Sequence, residues 1–148
     1  MKGHIYRLFA LLIVASTTSC EHYLVNGKLD GFWQVQEIED KASGEVTRCN
    51  GDIYYSFQQE LVLLSYVSPE IPTGQMKENY IAYFTYGNDS IAMTDFRIYL
   101  DADGKQAPLT ELVKFGLYDT YNRFLVEKLN KKSLILNSEK SRIVLRKY

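Results

Sequence analysis

An all-β fold is what the sequence predicts: about eight antiparallel strands and one short helix. Three observations carry this expectation. From Gly31 onward, short apolar and aromatic segments alternate with turn residues. One segment alone has helical spacing. The C-terminal part divides into three short strands separated by tight polar turns, the pattern of a meander.

Residues 31–38, Gly-Phe-Trp-Gln-Val-Gln-Glu-Ile, alternate as a half-buried strand does and stop at the turn Asp40-Lys41-Ala42-Ser43-Gly44. Asn50-Gly51 predicts a hairpin, because both residues tolerate the positive φ of a type I′ turn. Residues 53–57 and 61–66 follow as strands. The segment 68–78 contains Pro69, Pro72 and Gly74 and reads as a loop. Residues 80–86 and 90–100 flank Gly87-Asn88-Asp89 as a second hairpin, and Asp101-Ala102-Asp103-Gly104 turns again. Leu109, Leu112, Val113 and Leu117 fall near helical spacing after Pro108, predicting a helix over 108–115 that plugs one end of the sheet. Strands over 124–129, 133–137 and 142–147 complete the chain. Eight such strands either close into a barrel or stack as a sandwich, and periodicity alone does not choose between them.

The first twenty residues address the protein. Lys2 and Arg7 precede an apolar run over 8–15, and Ser16-Thr17-Thr18-Ser19 leads into Cys20. This is the order of a secretory signal peptide, and the run is far shorter than the roughly 20 residues that cross a bilayer. Ser19-Cys20 resembles the lipobox of bacterial lipoproteins, with Thr17 standing where that motif usually has Leu. The resemblance implies a signal peptide over 1–19, a diacylglycerol on the Cys20 thiol, an anchor and tether over 20–28, and a domain over 29–148. It places the protein in the cell envelope, at the outer membrane, with the membrane as a partner through Cys20. Lipidation of Cys20 leaves Cys49, the other cysteine of the chain, as a free thiol.

Removing 19 of the 148 residues leaves 129, with 15 basic against 18 acidic side chains and a net charge of −3. That size suits one core, and an acidic chain without a basic stripe argues against nucleic acid as a partner.

Gly31-Phe32-Trp33 resembles the Gly-x-Trp signature of the lipocalins. The later pattern of Phe124, Glu127 and Leu129, then Leu134 and Leu136, then Ile143 and Leu145, is similar to small lipocalin-like lipoproteins of Gram-negative gut bacteria of the Bacteroidetes type. The resemblance spans residues 29–148. It implies a lipocalin-like meander barrel whose base is built by Gly31 and Trp33, with a basic residue of the last strand, Arg142 or Arg146, over the indole.

Enzyme chemistry finds little material. His4 leaves with the signal, and His22 sits on the tether, away from any pocket that a catalytic dyad or triad requires. No metal site or cofactor is expected: histidine is scarce, one thiol cannot build a cysteine cage, and residues 101–104 lack the ligand spacing of a calcium loop. Glu37 and Glu39 share one strand face and read as a solvated outer surface. The distinctive quantity is aromatic content, since 129 mature residues keep 11 of 12 Tyr, 6 of 7 Phe and the single Trp. Tyr55, Phe57, Tyr80, Tyr83, Phe84 and Tyr86 in the central strands are candidates to face a small, partly apolar ligand or glycan fragment inside the barrel mouth. The competing expectation is a packed barrel without ligand that meets an envelope protein through its loops, the 68–78 loop first. Cys20→Ala is expected to turn a membrane-pelleting protein into one that stays soluble or uncleaved, read by fractionation and immunoblot; a variant that still pellets and matures contradicts the lipobox reading.

Overall fold

The computed structural model describes residues 24–67 and 79–148; Cys20, His22 and the 68–78 loop lie outside them. Nine strands form one antiparallel sheet: β1 Gly31–Asp40, β2 Glu45–Arg48, β3 Ile53–Gln58, β4 Leu61–Tyr66, β5 Tyr80–Gly87, β6 Ser90–Ile98, β7 Tyr121–Leu129, β8 Ser133–Asn137 and β9 Ser141–Lys147. Each of β3 to β9 pairs with its sequence neighbour, and β9 returns to β1, closing a barrel. β1 has β9 on one side along nearly its whole length. On the other side β3 takes residues 31–34 and β2 takes residues 37–40, so two strands share one lane and nine strands make an eight-lane barrel.

β2 is absent from the strand pattern predicted above because all four of its residues are exposed, leaving no buried face to read. Its presence also moves the hairpin. The turn that reverses the chain is 41–44, where Gly44 has φ +74 and its N–H donates to Asp40 O at 2.7 Å. Asn50-Gly51 instead joins two strands that both pair with β1. Asn88 and Asp89, at φ +49 and +55, do form a two-residue hairpin between β5 and β6.

Three bulges bend the sheet. They interrupt β1 between Val35 and Glu37, the β5–β6 pairing between Ile81 and Tyr83, and the β7–β8 pairing between Val126 and Lys128. Each moves the inward phase by one residue, which is how an extra residue curves a strand. In β6 the inward residues run Ile91, Met93 and then Phe96, with Asp95 at φ +55 as the extra one.

The helical segment is shorter than the 108–115 span predicted: α1 Leu109–Leu112 is one turn, continued by a 3-10 turn at Val113–Phe115. It lies at the end of the barrel where β1 finishes and β3 begins, which is the mouth. There it is held from several sides of the rim. The Tyr55 hydroxyl of β3 donates to Phe115 O at 2.7 Å, and the Ser141 hydroxyl of β9 donates to Gly116 O at 2.7 Å. Asn122 of β7 accepts from Tyr118 N–H at 3.2 Å and donates to Asp119 O at 2.5 Å. Gly116 has φ +81, and a Cβ there would stand 3.0 Å from Ile143 Cδ1 and 3.1 Å from Ile38 Cγ2. Only glycine lets the chain turn that close to the barrel wall. Leu112, Phe115 and Leu117 thereby drop into the mouth as part of the core.

Candidate functional site

At the opposite end of the barrel, Trp33 is fully buried and its indole N–H donates to Leu29 O at 2.7 Å. Lys147 Nζ stands 4.4 Å from the indole centroid, donates to Lys28 O at 3.1 Å, and also donates to Asp30 O. Burial pulls the Lys147 pKa below its ordinary value, against the opposing charge of Asp30. A cation over an indole face is worth about 0.5–2 kcal/mol, and the two carbonyls add to what offsets its desolvation. Gly31 makes room for it, since a Cβ at this φ of +120 would stand 2.8 Å from Lys147 Nζ. The expectation that Arg142 or Arg146 covers the ring is corrected. Arg142 Nε is paired with Glu127 Oε2 at 2.9 Å, and Arg146 Nη2 donates to Gln34 Oε1 at 2.9 Å. Strand alternation decides this: in β9 Ile143 and Leu145 point inward, so Arg142 and Arg146 point outward. Lys147 shares the inward phase of Ile143 and Leu145 and stands directly opposite Trp33 in the β1–β9 pairing.

The six candidate ligand-facing aromatics do not form one set. Tyr55, Phe57, Tyr80 and Phe84 point inward and are sealed, whereas Tyr83 is 53% exposed on the outer face and Tyr86, in the inward phase opposite Ile91, is 36% exposed at the base rim. The inward rings pack on one another. Phe57 meets Phe84 edge-on at 5.1 Å, Tyr55 meets Phe57 at 6.0 Å, and Phe115 from the plug meets Tyr55 at 6.4 Å and Tyr80 at 6.0 Å. Burial drives the Tyr55 phenol far above its usual pKa, so it stays protonated and donating to Phe115 O. These aromatics fill the space that a ligand inside the mouth would need.

Beside the plug, Cys49 borders a cleft of about 280 Å³ with Ile53, Thr47, Val113 and Tyr118. Burial, and then the charge of Asp52, pushes the Cys49 thiol up to about 11. This half-buried thiol is poorly nucleophilic. Among the described residues no cluster of three or more His, Cys, Asp or Glu can hold a metal ion, and no helix is long and apolar enough to cross a membrane.

A groove of about 720 Å³ lies on the outside of β7. Its origin is register. β6 pairs with β7 from Tyr121 to Leu125, but β8 begins pairing only at Leu125, opposite Asn137. The first part of β7 therefore runs past the end of β8, and the 138–140 turn forms a wall. Alternation turns Asn122 and Phe124 inward and leaves Tyr121, Arg123 and Leu125 on the groove floor. Tyr121 is 57% exposed. Lys41 donates to Ser138 O at 2.6 Å and Lys140 pairs with Asp119 at 3.0 Å, so both cations at the mouth end hold turns. Arg123 has no side-chain partner among the described residues. Asn88, Ser90, Asn137 and Ser138 add amides and hydroxyls to the lining, and Glu139 adds a carboxylate. The arrangement offers a ring to stack on, hydrogen-bonding groups, and one free guanidinium.

An eight-lane antiparallel meander, closed at its base by Gly-x-Trp under a last-strand cation, defines a lipocalin-like barrel. The chain belongs to the lipocalin-like domain family, whose match covers residues 12–148. It is similar to a lipocalin-like protein from Bacteroides uniformis, at 20% identity and TM-score 0.61, over 82% of this chain and 100% of that one. It is also similar to an uncharacterized protein from Bacteroides eggerthii, at 30% identity and TM-score 0.57, over 80% and 98%. No curated protein matches the chain. The fold is compatible with small-ligand binding.

Cys49 is expected to alkylate on the order of 100-fold more slowly at pH 8 than an ordinary cysteine, with the rate rising about tenfold per pH unit toward pH 10. Iodoacetamide labelling read by mass spectrometry checks this, and a rate equal to that of a free cysteine contradicts the burial argument.

Proposed function

We propose that this protein is a lipid-anchored, lipocalin-like binding protein of the cell envelope that takes its ligand on the outer groove of β7, not inside the barrel. One contrast carries the reading. The barrel interior is occupied by the protein's own rings, while the groove is open and presents Arg123, without a side-chain partner among the described residues, beside the exposed ring of Tyr121. The ligand class that suits those groups is a small, partly apolar molecule or glycan fragment with an acidic group: the sugar face or apolar part lies on Tyr121 and Leu125, and the acid pairs with the Arg123 fork. Cys20 supplies the anchor, and the role is non-catalytic.

The same filled interior supports a second reading, in which an envelope protein docks on this face and no small ligand exists. One experiment separates them. The mature protein is incubated with glycan and lipid extracts of the cell envelope and examined by native mass spectrometry, alongside Arg123→Ala and Tyr121→Ala. An adduct on the parent chain that both variants lose is the expected result. A bare mass for all three overturns the small-ligand reading in favour of the protein partner, and an adduct that both variants retain places the ligand elsewhere.

A further inference from the structure

The closed end of the barrel carries a surface that the groove leaves unused. The chain is locked to this end as soon as it is described. The Asn26 backbone N–H donates to Asp30 Oδ2 at 2.9 Å, and its side-chain amide donates to Asp30 Oδ1 at 2.6 Å and to Gln59 O at 2.8 Å. Cys20 precedes Leu24 by four residues, which span at most about 14 Å when fully extended. A lipid on Cys20 therefore keeps the base of the barrel, and not its plugged mouth, beside the bilayer.

That base exposes the chemistry of a headgroup boundary. Leu24 and Val25 are both exposed, and Tyr148 is 74% exposed. Phe32 stacks on Tyr54 at 5.1 Å, and the Tyr148 ring meets both edge-on at 6.0 and 5.6 Å. Lys28, Lys131 and Lys132 are exposed on the same arc of the rim. Lys147 stitches the arc together: its backbone N–H donates to Lys132 O at 2.9 Å and its Nζ to Lys28 O at 3.1 Å, while Tyr148 N–H donates to Phe32 O at 2.9 Å. Of the acids at this end, Asp30 is held by Asn26, Glu60 stands in the β3–β4 turn next to Gln59, and Asp89 stands in the β5–β6 turn. Rings with polar tips, apolar side chains and lysines on long stems together suit an interface between acyl chains and anionic headgroups.

We propose that the arc formed by Leu24, Val25, Lys28, Phe32, the Lys131-Lys132 turn and Tyr148 is a docking face for an anionic lipid surface. It sets the barrel base-down on the membrane, with the mouth turned away. The proposal rests on the lipidation of Cys20 in the reading above.

The test uses the full processed protein, purified from membranes and checked by intact mass for the diacylglycerol on Cys20. It is reconstituted into vesicles of phosphatidylcholine alone or with phosphatidylglycerol, and lysine acylation rates are read by peptide mass spectrometry. Lys28, Lys131 and Lys132 are expected to label several-fold more slowly on the anionic vesicles, while Lys114 and Lys140 at the mouth end label equally on both. Lys131→Glu combined with Lys132→Glu is expected to restore fast labelling of Lys28. Equal rates for Lys28, Lys131 and Lys132 on both vesicle types, with the lipid present, overturn the docking face and leave the anchor standing. If intact mass shows no lipid, the anchoring reading fails on its own. Co-flotation of that chain with anionic vesicles, abolished by the double variant, then still supports the docking face; failure to float overturns it.

Discussion

Two carbonyls, those of Phe115 and Gly116, receive hydroxyl hydrogen bonds from the two strands that flank β1: Tyr55 on β3 and Ser141 on β9. This pair of contacts determines what the barrel can be. It requires the chain at Gly116 to pass within van der Waals range of Ile38 and Ile143, which a side chain there would prevent. Once the β6–β7 connection is drawn across the mouth, Phe115 meets the rings of Tyr55 and Tyr80, and Leu112 and Leu117 join the core. The base is closed by a different device, Trp33 under Lys147, which Gly31 allows to approach. A barrel plugged at its mouth, closed at its base and lined with large buried side chains gains its stability from close packing.

With the interior committed to the core, binding moves to surfaces set by strand register. The β7 groove exists because β8 ends level with Leu125 and the following turn stands off from the strand. Its distance from the core means that Tyr121 and Arg123 are free of packing duties. Function can therefore vary there while the barrel stays the same, the usual division between a rigid sheet and what is displayed on it. In the proposed reading the base faces the membrane, and the groove along the side takes the ligand.

Much of the fold was legible because β strands with one buried face announce themselves by alternation. β3, β4, β5, β8 and β9 lie within a residue of where the pattern places them, and Gly-x-Trp identified the base. The failures have physical causes. β2 has no buried face and so no pattern. β7 starts at Tyr121, three residues before Phe124, because its first inward residue is Asn122, a polar side chain kept inside by its bonds to Tyr118 and Asp119. Arg142 and Arg146 do not cover Trp33, because Ile143 and Leu145 fix an inward phase in β9 that Lys147 shares and the two arginines do not. The aromatic-rich centre is not one ligand-facing set, because alternation sends Tyr83 outward, Tyr86 ends at the exposed base rim, and the others pack into the core. The groove could not be read at all, since it arises from where two strands stop relative to each other. A hint lay in Tyr121, Arg123 and Leu125 at every second position, one outward face carrying a ring, a cation and an apolar side chain.

The central claim is that the barrel is filled. Titration of the folded protein with an uncharged apolar fluorescent probe tests it most directly, because such a probe brightens on entering an apolar cavity and carries no acid for the β7 groove. The account predicts weak, non-saturating enhancement that Phe57→Ala and Phe84→Ala convert into saturable binding by opening space. Saturable one-to-one binding by the unaltered protein would contradict it.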